Sequence, residues 1–217
     1  TSRTTSATPS HARRSRAASV PRRCAIRARL QQLLGIGVLG TPTPARGRYL
    51  YQRRDGNTNQ PTLYVRDGLE GTDRVAIDPN ALSADGTTAL DWYHASPDGR
   101  LLAYGLSANG SEQSVLHLLD LDTLTPLTDE IPHTRSCDLA WLPDGSAFYY
   151  TRYPAPGSVA AGEEQYHRAV WFHRLGDDPA SDCLVFQPAH KEYWPGVSLS
   201  DDGRWLLIGV ARTFDET

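Results

Sequence analysis

Ser96-Pro97-Asp98-Gly99-Arg100-Leu101-Leu102-Ala103-Tyr104 decides the architecture of this 217-residue chain. Pro presets φ, Asp bonds its own backbone, and Gly supplies the positive φ that a side chain resists. The stretch therefore predicts a tight corner that feeds a strand of aliphatic and aromatic residues. Three further segments superpose on it, starting at Gly47, Gly145 and Gly203. Two of these keep the Asp-Gly pair, in Leu142-Pro143-Asp144-Gly145 and Ser200-Asp201-Asp202-Gly203. The four glycines are 52, 46 and 58 residues apart. A period of roughly 40–50 residues with about four short strands per unit is that of a β-propeller blade. The surplus in the last interval falls in the flexible insertion from Pro154 to Glu164.

Strands are expected at 48–52, 62–66 and 74–77 in the first unit. The second holds 89–95, 101–106, 115–120 and 124–127; the third 138–141, 147–152, 169–174 and 183–186. Residues 197–199 and 204–210 begin a fourth. The fold expected is all-β: a partial propeller over 47–217 of about three and a half four-stranded blades. Ahead of it, 26–46 read as a short helix and an extended linker, with Ile26, Leu30, Leu33 and Leu34 at helical spacing and Pro42 and Pro44 ending any helix. Residues 1–25 read as a disordered basic tail, rich in Ser, Thr, Arg and Ala.

Charge is distributed unevenly. The net charge is −3, yet residues 1–54 carry 12 basic and no acidic side chains, whereas 55–217 carry 10 basic against 25 acidic. Nucleic-acid binding needs clustered Lys and Arg, so an acidic body argues against it. No stretch approaches the roughly 18 apolar residues of a membrane helix. A transit peptide would share the Arg- and Ser-rich, acid-poor character of the N-terminal stretch, but no starting methionine is present; a signal peptide fits poorly, because the apolar run Leu33 to Leu39 is short, broken by Gly35 and Gly37, and followed by Thr-Pro-Thr-Pro. Cys24, Cys137 and Cys183 are odd in number and far apart, which excludes a disulfide framework or cysteine-rich zinc site and favours a reducing, cytoplasmic setting. With no methionine, and with Thr217 inside a strand-turn unit, the sequence is expected to be a fragment.

Several local patterns imitate active sites. Gly105-Leu-Ser-Ala-Asn-Gly110 approaches a nucleophile elbow around Ser107, but its flanks are strands rather than strand and helix. Gly35 to Gly40 spells a dinucleotide fingerprint with Asp55 twenty residues on, but follows a helix instead of a strand. Asp120/Asp122, Asp177/Asp178 and Asp201/Asp202 read as solvated turns, and Asn109-Gly110-Ser111 as a turn rather than a glycosylation acceptor. His167 and His173, six apart, fit no helical ligand pair. The tryptophans fall in or beside strands, where packing between blades accounts for them. No catalytic, cofactor-binding or metal-binding residue is expected in this chain.

Two longer stretches carry a resemblance: Asp78 to Leu90, and Tyr166-His-Arg-Ala-Val-Trp-Phe-His-Arg-Leu-Gly-Asp-Asp-Pro-Ala-Ser-Asp182. Leu63 to Asp67, Ala103 to Ser107, Ser198 to Arg204 and Ile26 to Leu30 add to it. Over residues 26–217 the sequence resembles the prolyl oligopeptidase family of serine peptidases. Asp78 to Leu90 is similar to the linker between that family's first two blades. The resemblance implies a seven-bladed propeller seated on an α/β-hydrolase domain, whose Ser-Asp-His triad cleaves short peptides after proline. It implies that the propeller filters and gates access, and that the triad follows it in chain order, beyond this sequence. The implied partners are the C-terminal hydrolase domain and short proline-containing peptides, with no cofactor. Residues 1–24 depart from the family in lacking an acidic, aromatic-bearing segment. His133 to Cys137 lies where such a propeller can touch the substrate pocket, but no binding residue is carried over. The competing class is a stand-alone propeller used as a protein- or ligand-binding scaffold. An open stack of blades that aggregates through its uncovered faces is a third outcome.

Overall fold

The computed structural model describes residues 20–56, 58–83 and 85–212, so the expectation for the first nineteen residues lies outside the described ones. The chain divides into two units: 1–38 with 55–57, and 39–54 with 58–217. The first contains helix α1 (Val20–Leu34), built from the good helix formers Arg, Ala, Leu and Gln. It begins six residues ahead of Ile26, because the apolar spacing marks a stripe and not the point where the helix starts. Gly35 ends it, donating its N–H to Gln31 O at 3.0 Å.

β1 (Val38–Leu39) straddles the division in sequence; the second unit continues as antiparallel sheets. The first sheet runs in order β2 (Thr43–Ala45), β3 (Arg48–Arg54), β4 (Thr62–Asp67) and β5 (Asp73–Ile77). A short helix, α2 (Pro79–Leu82), follows, its N-terminus capped by Asp78. The second sheet holds β6 (Ala89–Ala95), β7 (Leu101–Ser107), β8 (Val115–Asp120) and β9 (Thr125–Ile131). The third holds β10 (Leu139–Trp141), β11 (Ala147–Arg152), β12 (Ala169–Arg174) and β13 (Cys183–Phe186). β14 (Trp194–Leu199) and β15 (Leu206–Ala211) form the fourth. These are the blades of a partial propeller.

The predicted corners occupy equivalent places: each joins the first and second strand of its sheet. In the second sheet the Ser96 N–H donates to Leu101 O and the Gly99 N–H to Ser96 O, with Gly99 at φ 71. Asp98 accepts from the Ser96 hydroxyl (2.6 Å) and the Arg100 amide (3.0 Å). Ser200 to Trp205 repeats this set of bonds around Asp202 and Gly203. The Gly47 corner does without Asp, placing both Arg46 (φ 40) and Gly47 (φ 86) in left-handed conformation. Successive corners also touch. A Cβ on Gly99 would lie 2.7 Å from Ala45 O, and one on Gly203 would lie 2.8 Å from the Pro143 ring.

The second and third sheets bury both faces, as the two-residue period of a strand allows, whereas the fourth leaves Trp205 and Leu207 exposed. Leu50, Leu63, Val65, Leu102 and Leu121, all fully buried, fill the seam between the first and second sheets. Ala103, Leu116, Leu118, Trp141, Phe148 and Tyr150 fill the next. Ala140, Val170 and Val197 fill the third, with Tyr149 and Ile208 against them. Removing a leucine of this kind to alanine costs about 2–5 kcal/mol.

Candidate functional site

The first strands of all four sheets converge on one concave wall. Thr43 to Arg46, Tyr93 to Pro97, Leu139 to Trp141 and Val197 to Leu199 enclose a cavity of about 460 Å³. Polar ties hold these inner strands together. The Trp92 indole donates to Thr134 O (2.9 Å), the Trp141 indole to His94 O (3.2 Å), and the Val197 amide to Asp138 Oδ2 (2.8 Å). His94 lies 3.3 Å from Cys137 O, and burial lowers its pKa, which keeps a neutral imidazole in the wall. The wall thus offers backbone edges, aromatic surface and one neutral histidine.

A second cavity, of about 560 Å³, opens at the outer rim between the second and third sheets. Pro132, His133, Arg152, Tyr153, Trp171 and Pro179 line it. The Arg152 guanidinium lies 4.0 Å from the Trp171 ring centre, a cation–π contact. Burial, and then the charge of Arg152, hold the His133 pKa down.

Behind that rim lies a buried polar cluster. His173, in β12, is fully buried; its Nδ1 is 2.7 Å from Asp182 Oδ1 and its Nε2 is 3.0 Å from Asp129 Oδ1. Asp129, in β9 of the neighbouring sheet, also accepts the Gly176 amide at 2.6 Å. The Tyr150 hydroxyl donates to Asp182 Oδ2 at 2.6 Å, and Arg152 Nη1 stands 3.8 Å from the same oxygen. Burial and the Asp182 hydrogen bond push the Tyr150 phenol far up. Nothing in the local sequence marks this cluster: Asp129 is 44 residues from His173, and only the fold brings them together.

The motifs weighed in the sequence fall elsewhere. Ser107, 5% exposed, closes β7, and the chain turns through Asn109 (φ 58) and Gly110 into strand β8. No strand-to-helix elbow forms there. Gly35 follows α1, not a strand. Asp120 accepts the Asp122 and Thr123 amides, Asp178 caps the 3₁₀ turn Pro179–Ser181, and Asp202 closes its corner. His167 sits 2.8 Å from Glu163 Oε2, apart from the His173 cluster. Within His133 to Cys137, Arg135 points outward and pairs with Glu112 (2.6 Å), while Cys137 is buried. Trp92 and Trp141 pack between blades as expected, but Trp194 and Trp205 on the fourth sheet are 44% and 65% exposed. Among the described residues no group of three His, Cys, Asp or Glu could hold a metal ion. No helix among them is long and apolar enough to cross a membrane.

The family model described as the prolyl oligopeptidase N-terminal β-propeller domain matches residues 10–217, reaching sixteen residues further towards the N-terminus than Ile26, where the motifs in the sequence begin. The prolyl endopeptidase of Elizabethkingia meningoseptica is 30% identical over 199 residues, covering 90% of this chain and 28% of that protein. Prolyl oligopeptidase A of Galerina marginata is 32% identical over 183 residues, covering 75% and 24%. A solved structure from a study of two prolyl endopeptidases and their inter-domain dynamics superposes with a TM-score of 0.82 at 30% identity, covering 88% of this chain and 28% of that one. Prolyl oligopeptidase B of Galerina marginata bound to a 35-residue substrate shares the fold, with a TM-score of 0.73 at 23% identity, covering 90% and 30%. The chain spans about a quarter of the length of the curated relatives it matches.

Proposed function

We propose, from the premise that this chain belongs to the prolyl oligopeptidase family as part of its N-terminal β-propeller, that it filters and gates peptide access to a C-terminal hydrolase domain. The observation that carries this reading is the inner wall. Four successive blades present their first strands to one cavity, and that wall offers backbone edges, aromatic surface and a neutral histidine in place of a nucleophile with its base. A wall of this kind sorts by size and leaves the chemistry to another domain. The substrates on this reading are short proline-containing peptides, cleaved by a serine triad outside the residues described here. The reading also places the chain in a reducing, cytoplasmic setting, supported by three free cysteines.

The test is a chimera in which this segment replaces the corresponding blades of a family peptidase. Ser198 lies exposed on the wall, so Ser198→Tyr narrows the cavity without entering a seam. The expected result is a several-fold fall in kcat/KM for peptides of ten or more residues, with a Gly-Pro anilide cleaved as before. Equal effects on both substrates reject gating by this wall. The 217-residue chain alone is expected to leave the anilide intact.

A further inference from the structure

A carboxylate oxygen only accepts hydrogen bonds, and a neutral imidazole has one N–H to donate. Both ring nitrogens of His173 nevertheless face carboxylates, Asp182 at 2.7 Å and Asp129 at 3.0 Å, with no exposure to water. The arrangement is satisfied when the ring carries both protons. We infer that His173 is an imidazolium carrying both ring protons at neutral pH and acts as a proton-dependent lock across the seam between the second and third blades.

Every charged or titratable group packed against the ring agrees with this. Asp129 comes from β9, Asp182 follows the 3₁₀ turn, and Arg152 reaches Asp182 from β11. With the ring protonated, two carboxylates face two cations and the cluster is neutral. Tyr150 donates to the second oxygen of Asp182, and the buried Cys137 thiol beyond it is pushed up to about 12, so neither adds charge near neutrality. The Phe148 ring packs against the imidazole at 5.2 Å and closes the site to water. Burial by itself lowers the His173 pKa, but the hydrogen bonds to Asp182 and then Asp129 outweigh it and raise it. Loss of the proton leaves one nitrogen lone pair against a carboxylate lone pair inside the seam, which burial makes costly.

Because the folded pKa is raised, the stability this group adds is fully present below about pH 6.5 and is lost as pH rises through the folded value. Between those limits the folding equilibrium constant falls by about tenfold per pH unit for one proton.

The test uses the 217-residue chain. Long-range proton–nitrogen NMR at pH 7.5 should show both His173 ring nitrogens protonated, and a neutral tautomer there overturns the inference. Urea midpoints measured from pH 6 to 9 should fall for the parent chain and stay level for His173→Gln. If His173→Gln does not fold, Asp129→Asn takes its place. That variant removes one of the two negative charges facing the ring and offers an amide that can donate to a bare ring nitrogen, so its imidazole should lose the second proton at lower pH than in the parent chain. Parent and variant sharing one pH profile also overturns the inference.

Discussion

The indole of Trp92 lies across its cross-strand partner Gly105, so close that a Cβ on Gly105 would sit 2.3 Å from the ring. Trp92 is thereby laid flat over β7 with its N–H on Thr134 O, in the connection to the third blade. Replacing Gly105 with alanine has to push the ring away and break that bond. Overpacking of this kind costs about 1–3 kcal/mol. Thermal unfolding followed by circular dichroism should show a clear fall in Tm for Gly105→Ala, and an unchanged Tm refutes the contact.

Gly99 and Gly47 separate two effects of a corner glycine. Both have positive φ, but a Cβ on Gly47 meets nothing within 4 Å, whereas one on Gly99 meets Ala45 O at 2.7 Å. Gly47→Ala should cost only the left-handed strain, about 1–2 kcal/mol. Gly99→Ala should cost measurably more in paired urea titrations, because it also presses apart two blade corners. Equal losses would show that the corners do not press on one another.

Asp73 gives the outer face of the first sheet a dependence on acid. Its pKa is held down by hydrogen bonds from Arg66, at 2.6 Å, and from Tyr51, against the opposing effect of burial. A lowered folded value means the stabilisation is present above about pH 4 and lost as pH falls through the folded pKa. Asp73→Asn should therefore be less stable than the parent at pH 6, and the gap between the two urea midpoints should narrow as pH falls below about 4. A gap that does not narrow in acid would count against the ion pair.

Cys137 should behave unlike the other two thiols. Burial pushes it up to about 12, whereas Cys24 and Cys183 are exposed. Reaction with a chromogenic disulfide at pH 8 should release two equivalents from the folded chain and a third only after denaturation. Three equivalents released at one rate would place Cys137 at the surface.

The parts of this fold that local chemistry dictates were readable in advance. The Asp-Gly corners and the strands they feed need only a few neighbouring residues, and β6, β8, β11, β12 and β13 lie where the pattern put them. Thr43 to Ala45 was read as extended linker because Pro44 suggests a break, yet it is the inner strand of the first sheet. A proline costs little there, since an edge strand leaves its outer N–H positions unpaired. Pro126 in β9 and Pro195 in β14 also sit on the first or last strand of their sheets. β14 begins at Trp194, ahead of the expected Val197, for the same reason. The start of α1 was missed because Arg22, Arg23 and Cys24 carry no apolar stripe. The His173 cluster could not be foreseen: its hydrogen-bonding partners come from another sheet and from a turn, and no spacing in the chain connects them.

Alternate positions along one strand serve different seams. Leu102 and Tyr104 project to one side of β7, and Ala103 projects to the other, where Trp141 and Phe148 take up the space it leaves. Neighbouring sheets are therefore shaped as unique pairs, bulk against recess. A genetic rearrangement that duplicated or transposed one of these units would keep its hydrogen-bonded ladders but set large side chains against large ones. The order of the units is thus enforced by volume as well as by chain connectivity.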